Sequence, residues 1–282
     1  MFEEVINRLT HRPTTAHKYD FGHVLIIGGS PGMVGAPLLA GRAALRIGAG
    51  LVTIASTADV TDKLEKRVEE IMTLAISANS TEALAKLRDS INERKVNAVV
   101  VGPGLSPDKS ELVRQLVKSI ELPMIIDGGG LSALKEVKTL QSKGRTLRDV
   151  VLTPHAGEFK RLIGRDLPKD ENELKKLAKN FAKRNSIILV LKGHPTYVTT
   201  GAGDLYENRT GGPGLATAGT GDVLAGMIAG LIAQEIEPAE AAKAGVYIHG
   251  LAGDLAVKQK TQAGLIASDV IEFIPSALKT LE

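Results

Sequence analysis

Short apolar runs alternate with helix-like stretches along most of this chain, and that rhythm restricts the fold more than any other feature. The pattern predicts strands at His23 to Gly29, Leu51 to Ala55, Ile71 to Ile76, Asn97 to Val101, Met124 to Asp127, Val150 to Thr153, Ile187 to Leu191 and Thr196 to Thr200. Many of these are continuous apolar runs, which suits strands buried on both faces of a parallel sheet. Helices are expected between them at Ala36 to Gly48, Ser80 to Arg94, Asp108 to Ile120 and Glu171 to Lys183. Caps are expected at Ser80 with Glu82 and at Asp108 with Glu111. A hairpin is expected around Gly201-Ala202-Gly203-Asp204, followed by helices at Gly221 to Gln234, Pro238 to Lys258 and Ser268 to Leu278. Successive parallel strands need crossover helices, so the expected fold is α/β: a doubly wound, mostly parallel sheet with helices on both faces. No linker, low-complexity tract or internal repeat divides the chain, and residues 1–282 read as a single domain.

Composition narrows the class. An apolar content of 43% with 24% charged residues is ordinary for a soluble globular enzyme of 282 residues. There is no Cys, which excludes disulfides, thiolate catalysis and cysteine-ligated metal. A net charge of +3 is too small to argue for nucleic acid or a membrane surface. The apolar runs break well short of a membrane span, and Met1-Phe2-Glu3-Glu4 has no secretory apolar core. A cytoplasmic protein is expected. With no Trp and few other aromatics, stacking on bases is not its main device.

In open α/β sheets, ligands bind beyond the carboxyl ends of the strands. Five strand-end segments carrying Gly, Pro, His, Asp and Lys are expected there: Gly28-Gly29-Ser30, Gly102-Pro103-Gly104, Asp127-Gly128-Gly129-Gly130, Thr153-Pro154-His155 and Lys192-Gly193-His194. The richest signal comes later, where Gly211-Gly212-Pro213-Gly214-Leu215-Ala216-Thr217-Ala218-Gly219-Thr220-Gly221-Asp222 runs into an apolar helix. A helix start presents unpaired N–H groups and the positive end of its dipole, and glycine lets that backbone approach a phosphate. Phosphate repels a carboxylate. Asp222 therefore reads as a base that takes a proton from a hydroxyl attacking phosphorus.

The other motifs each admit a plainer reading. Gly28 to Gly35 follows a strand and opens a helix, but lacks the dinucleotide Gly-x-Gly-x-x-Gly spacing, and no Gly-Lys-Ser/Thr is present. It is either a tight turn or a place where backbone approaches a ligand. His155 and Glu158 stand three residues apart just after a strand, as capping residues or as ligand contacts, with Glu158 able to reach Mg²⁺ through water. Lys192-Gly193-His194-Pro195-Thr196 is either a solvated hairpin or a phosphate contact, with Lys192 as point charge and Thr196 as donor. Tyr247 and His249 read as packing residues.

Together these segments, with Gly35-Ala36, Gly102-Pro103-Gly104-Leu105, Thr153-Pro154-His155-Ala156-Gly157-Glu158 and Ala216 to Asp222, resemble the ADP/ATP-dependent NAD(P)H-hydrate dehydratases, which are ribokinase-like. The resemblance runs from Lys18 to about Ile274. It implies repair of hydrated NADH or NADPH (NADHX, NADPHX) by loss of water, driven by cleavage of ADP or ATP with Mg²⁺. Ala36, Gly104, His155 and Asp222 would then line the hydrated nucleotide. Lys192, Gly193, His194, Pro195 and Thr196, together with Gly221, would hold the phosphates. Amides of Gly219, Thr220 and Gly221 would stabilise developing charge, and Glu158 stands where related kinases carry the acid of their magnesium motif. A homotetramer is also implied.

Two departures stand out. The family often has Asp-Ala-Asp-Ala-Leu where this chain has Asp127-Gly128-Gly129-Gly130-Leu131, and Tyr19 stands where a glycine often follows the Lys. Many relatives carry a fused epimerase domain. The stretch before Lys18 is too short for one, so epimerisation is expected from a separate protein. Two alternatives share the Gly-Thr-Gly-Asp loop: a kinase of a small alcohol, such as a hydroxyethylthiazole or hydroxymethylpyrimidine thiamine precursor, and a non-catalytic nucleotide-binding regulator.

Overall fold

The computed structural model describes residues 2–134 and 147–282. Strands β1 (His23–Ile27), β2 (Leu51–Thr57), β3 (Met72–Ile76), β4 (Ala98–Val101), β5 (Met124–Ile126), β6 (Val150–Leu152), β7 (Ile188–Leu191), β8 (Thr196–Thr199) and β9 (Leu205–Asn208) form one sheet. Its order is β3-β2-β1-β4-β5-β6-β7-β8-β9. Pairing is parallel from β3 through β7 and antiparallel at β7–β8 and β8–β9, the last two strands forming the expected hairpin. The order reverses beside β1, whose two neighbours are β2 and β4. That is where a doubly wound sheet opens its crevice.

Successive residues of one strand face opposite ways, and the core divides accordingly. Val24 and Ile26 join one apolar layer with α1 (Glu3–Thr10), α2 (Gly35–Arg46), α3 (Ala58–Leu64), α9 (Thr220–Ala233), α10 (Pro238–Lys260) and α11 (Ala267–Lys279). Leu25 and Ile27 join the other, with α4 (Ser80–Arg94), α5 (Ser110–Ser119), α6 (Gly129–Ser132), α7 (Ala156–Ile163) and α8 (Glu171–Asn185). Strands with apolar residues on both faces are what such a sandwich requires.

Helix α9 is apolar all round because it is enclosed, with every residue from Val223 to Ala233 buried. Gly226 allows the approach of α2: a Cβ there would sit 2.0 Å from the Ala40 carbonyl oxygen. That contact aims the first turn of α9 at the ends of the central strands.

The caps differ from expectation. Asn79, not Ser80, caps α4, its Oδ1 accepting from the N–H groups of Thr81 (2.9 Å) and Glu82 (3.2 Å). Asp108 caps nothing, because Pro107–Lys109 forms a separate 3₁₀ turn and α5 begins only at Ser110. A one-residue offset between neighbouring Asn, Ser and Thr lies below what spacing alone resolves. Several predicted strands also end early. β1 stops at Ile27 because Gly28 N–H still bonds Ala55 but Gly29 N–H turns to the Pro103 carbonyl.

Candidate active site

The first turn of α9 is built without a side-chain cap. Gly219, in the left-handed region at φ 91°, precedes it, and the first helical bond runs from Val223 N–H to the Gly219 carbonyl. The N–H groups of Thr220, Gly221 and Asp222 therefore have no partner within the helix. Thr220 Oγ donates back to the carbonyls of Leu215 (2.9 Å) and Thr217 (3.1 Å), closing the glycine-rich loop onto the turn.

Lys192 lies over this turn. Its Nζ would be 2.9 Å from a Cβ on Gly221 and donates at 2.8 Å to Asp127 Oδ1, which also accepts from Thr153 Oγ1 at 2.7 Å. Asp127 is only 2% exposed, so this is a charge pair closed in by the ends of β5, β6 and β7. Burial pulls the Lys192 ammonium down, but Asp127, with Glu158 and Asp222 further off, outweighs it and holds Lys192 above its ordinary value. Asp222 meets the opposite balance. Burial and then the Asp127 charge push its carboxyl up to about 7 against the pull of Lys192. A carboxylate so poised has the proton affinity of a general base working near neutrality.

His155 and Glu158 form a reciprocal cap on α7. His155 Nδ1 accepts from the N–H groups of Gly157 (3.0 Å) and Glu158 (3.3 Å), while Glu158 Oε2 accepts from His155 N–H at 2.9 Å. The plainer reading of this pair is therefore realised. The exposed ring keeps its Nε2 3.5 Å from Glu158 Oε2, and the His155 backbone pairs with Lys192 as an isolated parallel bridge. Glu158 faces a side cleft of about 300 Å³ with Leu131, Ser132 and Arg161.

A larger cleft, about 480 Å³, opens against the α9 turn. It is lined by His155, by Lys192, Gly193, His194 and Thr196, by Gly211 to Pro213, and by Thr220 with Gly221. Thr196 Oγ1 donates to the Gly193 carbonyl at 2.8 Å and closes the turn of the antiparallel β7–β8 hairpin, in which Gly193 and His194 are exposed, as the plainer reading expects. Pro195 does not share this cleft. It faces a smaller one behind the turn, with Tyr197 and Glu171. Ala36 and Gly104 also lie outside it but meet each other, a Cβ on Gly104 falling 3.2 Å from Ala36 Cβ, and Ser30 Oγ ties that loop by donating to the Gly104 carbonyl at 2.9 Å. The first glycine loop thus approaches protein: a Cβ on Gly28 would lie 2.3 Å from the Pro103 carbonyl oxygen, whereas Gly32 and Gly35 face open space.

Gly129, where the family resemblance leads one to expect a second Asp, packs against the Gly102–Leu105 loop. A Cβ there would stand 2.1 Å from the Leu105 carbonyl oxygen, so this backbone has no room for the second Asp. The sequence places Asp127 in a strand-end segment expected at the crevice but gives it no role, although an Asp ending an apolar strand is a usable signal. It also places His249 among packing residues. Tyr247 does pack, against Phe2 at 5.5 Å between ring centroids, but His249 forms part of the wall of the large cleft.

The sheet order with this glycine-fronted helix start defines a ribokinase-like α/β protein. The family profile for NAD(P)H-hydrate dehydratase matches residues 24–276, and the chain belongs to that family. It is 40% identical to a bifunctional NAD(P)H-hydrate repair enzyme of Moorella thermoacetica, over 98% of this chain and 53% of the relative. An ADP-dependent (S)-NAD(P)H-hydrate dehydratase of Neisseria meningitidis serogroup B is 33% identical over 92% of this chain and 86% of its own. The crystal structure of an ADP/ATP-dependent NAD(P)H-hydrate dehydratase from Bacillus subtilis, co-crystallised with ATP and Mg²⁺, aligns at a TM-score of 0.83 and 32% identity, covering 100% of this chain and 98% of that one. The chain spans about half the length of the bifunctional relatives it matches.

Proposed function

We propose that this protein dehydrates hydrated NADH or NADPH at the expense of ADP or ATP. The observation that carries the reading is Asp222, half-buried in the first turn of α9 near the Asp127–Lys192 pair and pushed up to about 7. Family membership supports the substrate class.

The chemistry follows from leaving groups. Hydroxide leaves the hydrated ring poorly, whereas phosphate leaves well. Asp222 takes the proton of the ring hydroxyl as its oxygen bonds to the terminal phosphorus, and the bond from that phosphorus to the departing nucleotide breaks. The backbone amides of Gly219 to Gly221 and the Lys192 ammonium stabilise the charge that develops. The ring nitrogen lone pair then expels phosphate, and loss of a proton from the adjacent ring carbon restores the dihydronicotinamide. In this assignment Ala36, Gly104 and His155 hold the hydrated nucleotide. The 192–196 turn holds the phosphates of ADP or ATP.

Among the described residues no group of three His, Asp or Glu side chains is arranged to hold a metal ion. Glu158 spends Oε2 on its cap. The donor set fits Mg²⁺ that arrives on the nucleotide phosphates, with Glu158 reaching it through water. So bound, the ion would neutralise phosphate charge.

No described helix is long and apolar enough to cross a membrane, in keeping with the cytoplasmic location proposed here. We also propose a homotetramer and a functional partnership with an NAD(P)H-hydrate epimerase activity, both checkable by sedimentation and by epimer-resolved assays. Incubating the protein with hydrated NADH, Mg²⁺ and either nucleotide should restore dihydronicotinamide absorbance with one phosphate released per turnover. Nucleotide-independent repair, or a stable phosphorylated alcohol as product, would overturn the reading.

A further inference from the structure

The large cleft contains a histidine that the mechanism does not use. His249, in the middle of α10, is 8% exposed and lines the cleft together with Thr220, Gly221 and Gly250. Its Nε2 lies 3.0 Å from the Thr220 carbonyl oxygen. A carbonyl only accepts, so Nε2 carries the proton and donates. Burial, with the Lys192 charge adding to it, pulls the ring down to about 4 despite the Thr220 bond, so the imidazole is neutral near pH 7. A neutral ring that donates from Nε2 has a bare lone pair on Nδ1. Among the described residues no hydrogen bond reaches Nδ1, and that atom is not among the fully enclosed side-chain atoms lacking a partner. It therefore remains open to the cleft that the ring lines.

An acceptor left unpaired in a nearly closed wall carries a desolvation cost that a ligand donor would relieve. The phosphates of a nucleotide at neutral pH are acceptors. Its donors are the ribose hydroxyls and, at the far end, the exocyclic amine of adenine. The ring is tied directly to the turn where the phosphates would bind, and the ribose is the next group along a nucleotide from its phosphates. We infer that His249 Nδ1 is a nucleotide-binding contact that accepts a hydrogen bond from a ribose hydroxyl of ADP or ATP. The inference rests on the reading of this cleft as the nucleotide site.

Titration calorimetry on the full chain tests it with ADP, 2′-deoxy-ADP, 3′-deoxy-ADP and inosine diphosphate. The wild-type protein should bind one of the deoxy nucleotides about 3- to 10-fold more weakly than ADP, the range of one neutral hydrogen bond. His249→Gln retains a donor that reaches Thr220 but has no acceptor at the Nδ1 position. It should bind ADP and that deoxy nucleotide equally. His249→Asn places an amide oxygen near Nδ1 and should keep most of the discrimination, which a purely structural histidine would not explain. A wild-type protein indifferent to both deoxy nucleotides overturns the inference even if neither variant folds, as does a His249→Gln protein that still discriminates. A loss confined to inosine diphosphate assigns the donor to the adenine amine and overturns the ribose contact. Failure to bind ADP or ATP at all removes the reading of the cleft itself, a result distinct from binding without ribose discrimination.

Discussion

Two lysine–carboxylate clusters with nearly equal N···O distances lie near the β7–β8 turn. Lys192 meets Asp127 at 2.8 Å, with the side chains 20% and 4% exposed. Lys175 on α8 meets Glu171 at 2.7 Å and Glu207 at 2.6 Å, with Glu171 52% exposed and Tyr197 also donating to it. Distance does not separate them. Glu171 is half exposed, so water screens its charge, and Glu171 and Lys175 each favour the ionised form. Beside Asp127, burial and then the Asp127 charge raise the proton affinity of Asp222, a third titratable residue, against the pull of Lys192. Enclosure turns an ion pair into a device that tunes a neighbour.

The widest gap between the two regions should come from Asp222→Asn, which keeps size and shape but removes the base. Turnover should fall by at least about 10²–10⁴-fold, the usual worth of a positioned general base. ADP or ATP should still bind, slightly tighter, with a charge beside the phosphates gone. Near-normal turnover in the folded variant would end the assignment of Asp222 as base.

Lys192→Met comes next, because it leaves Asp127 enclosed without its cation. Breaking a buried pair this way costs about 3–5 kcal/mol, readable as a lower urea midpoint. The same change at Lys175, whose partner Glu171 stays in reach of water, should lower the midpoint less. Equal losses at the two sites would erase the contrast drawn here.

Proton linkage sharpens it further. Asp222 is raised from 3.8 to about 7 on folding, so the native state binds its proton more tightly than the unfolded chain does. Its contribution to stability is fully present below about pH 4 and is lost as pH rises through about 7. His249, lowered from 6.5 to about 4, acts in the opposite sense: its contribution is full above 6.5 and is lost as pH falls toward 4. Melting temperatures of Asp222→Asn should therefore decline less than the wild type between pH 5 and 8. Over the same interval wild-type kcat/KM should rise with an apparent pKa near 7, as the base loses its proton. A flat rate profile would detach that ionisation from catalysis.

The smallest effect is expected at His155→Ala. Loss of the α7 cap costs about 0.5–2 kcal/mol, and the hydrated substrate should weaken more than the nucleotide, measured separately by calorimetry. Equal weakening of both ligands would reduce His155 to its capping role.

Legibility followed the range of the interaction. The strand runs, the β8–β9 hairpin and the three closing helices were readable because period and turn composition are local. The His155–Glu158 relation was visible as a three-residue spacing for the same reason, although capping and ligand contact stayed equally open. The Asp127–Lys192 bond joins residues 65 positions apart, and the His249–Thr220 bond joins residues 29 apart. Nothing in either neighbourhood marks the partner. His249 sits among Val246, Ile248 and Ala252, a composition that says packing and nothing more.

By itself, then, the order of residues determined the α/β rhythm, the glycine-fronted entry into α9 and the placing of Asp222 in its first turn. Each depends on backbone preference and apolar period over a few residues. Only the tertiary structure decided that Lys192 and Asp127 meet over that turn, that Gly129 leaves no room for a second Asp, and that Asp222 holds its proton to about 7. Proton affinity and charge pairing depend on which distant groups share an enclosed volume, and the closing of the sheet and its helices creates that volume.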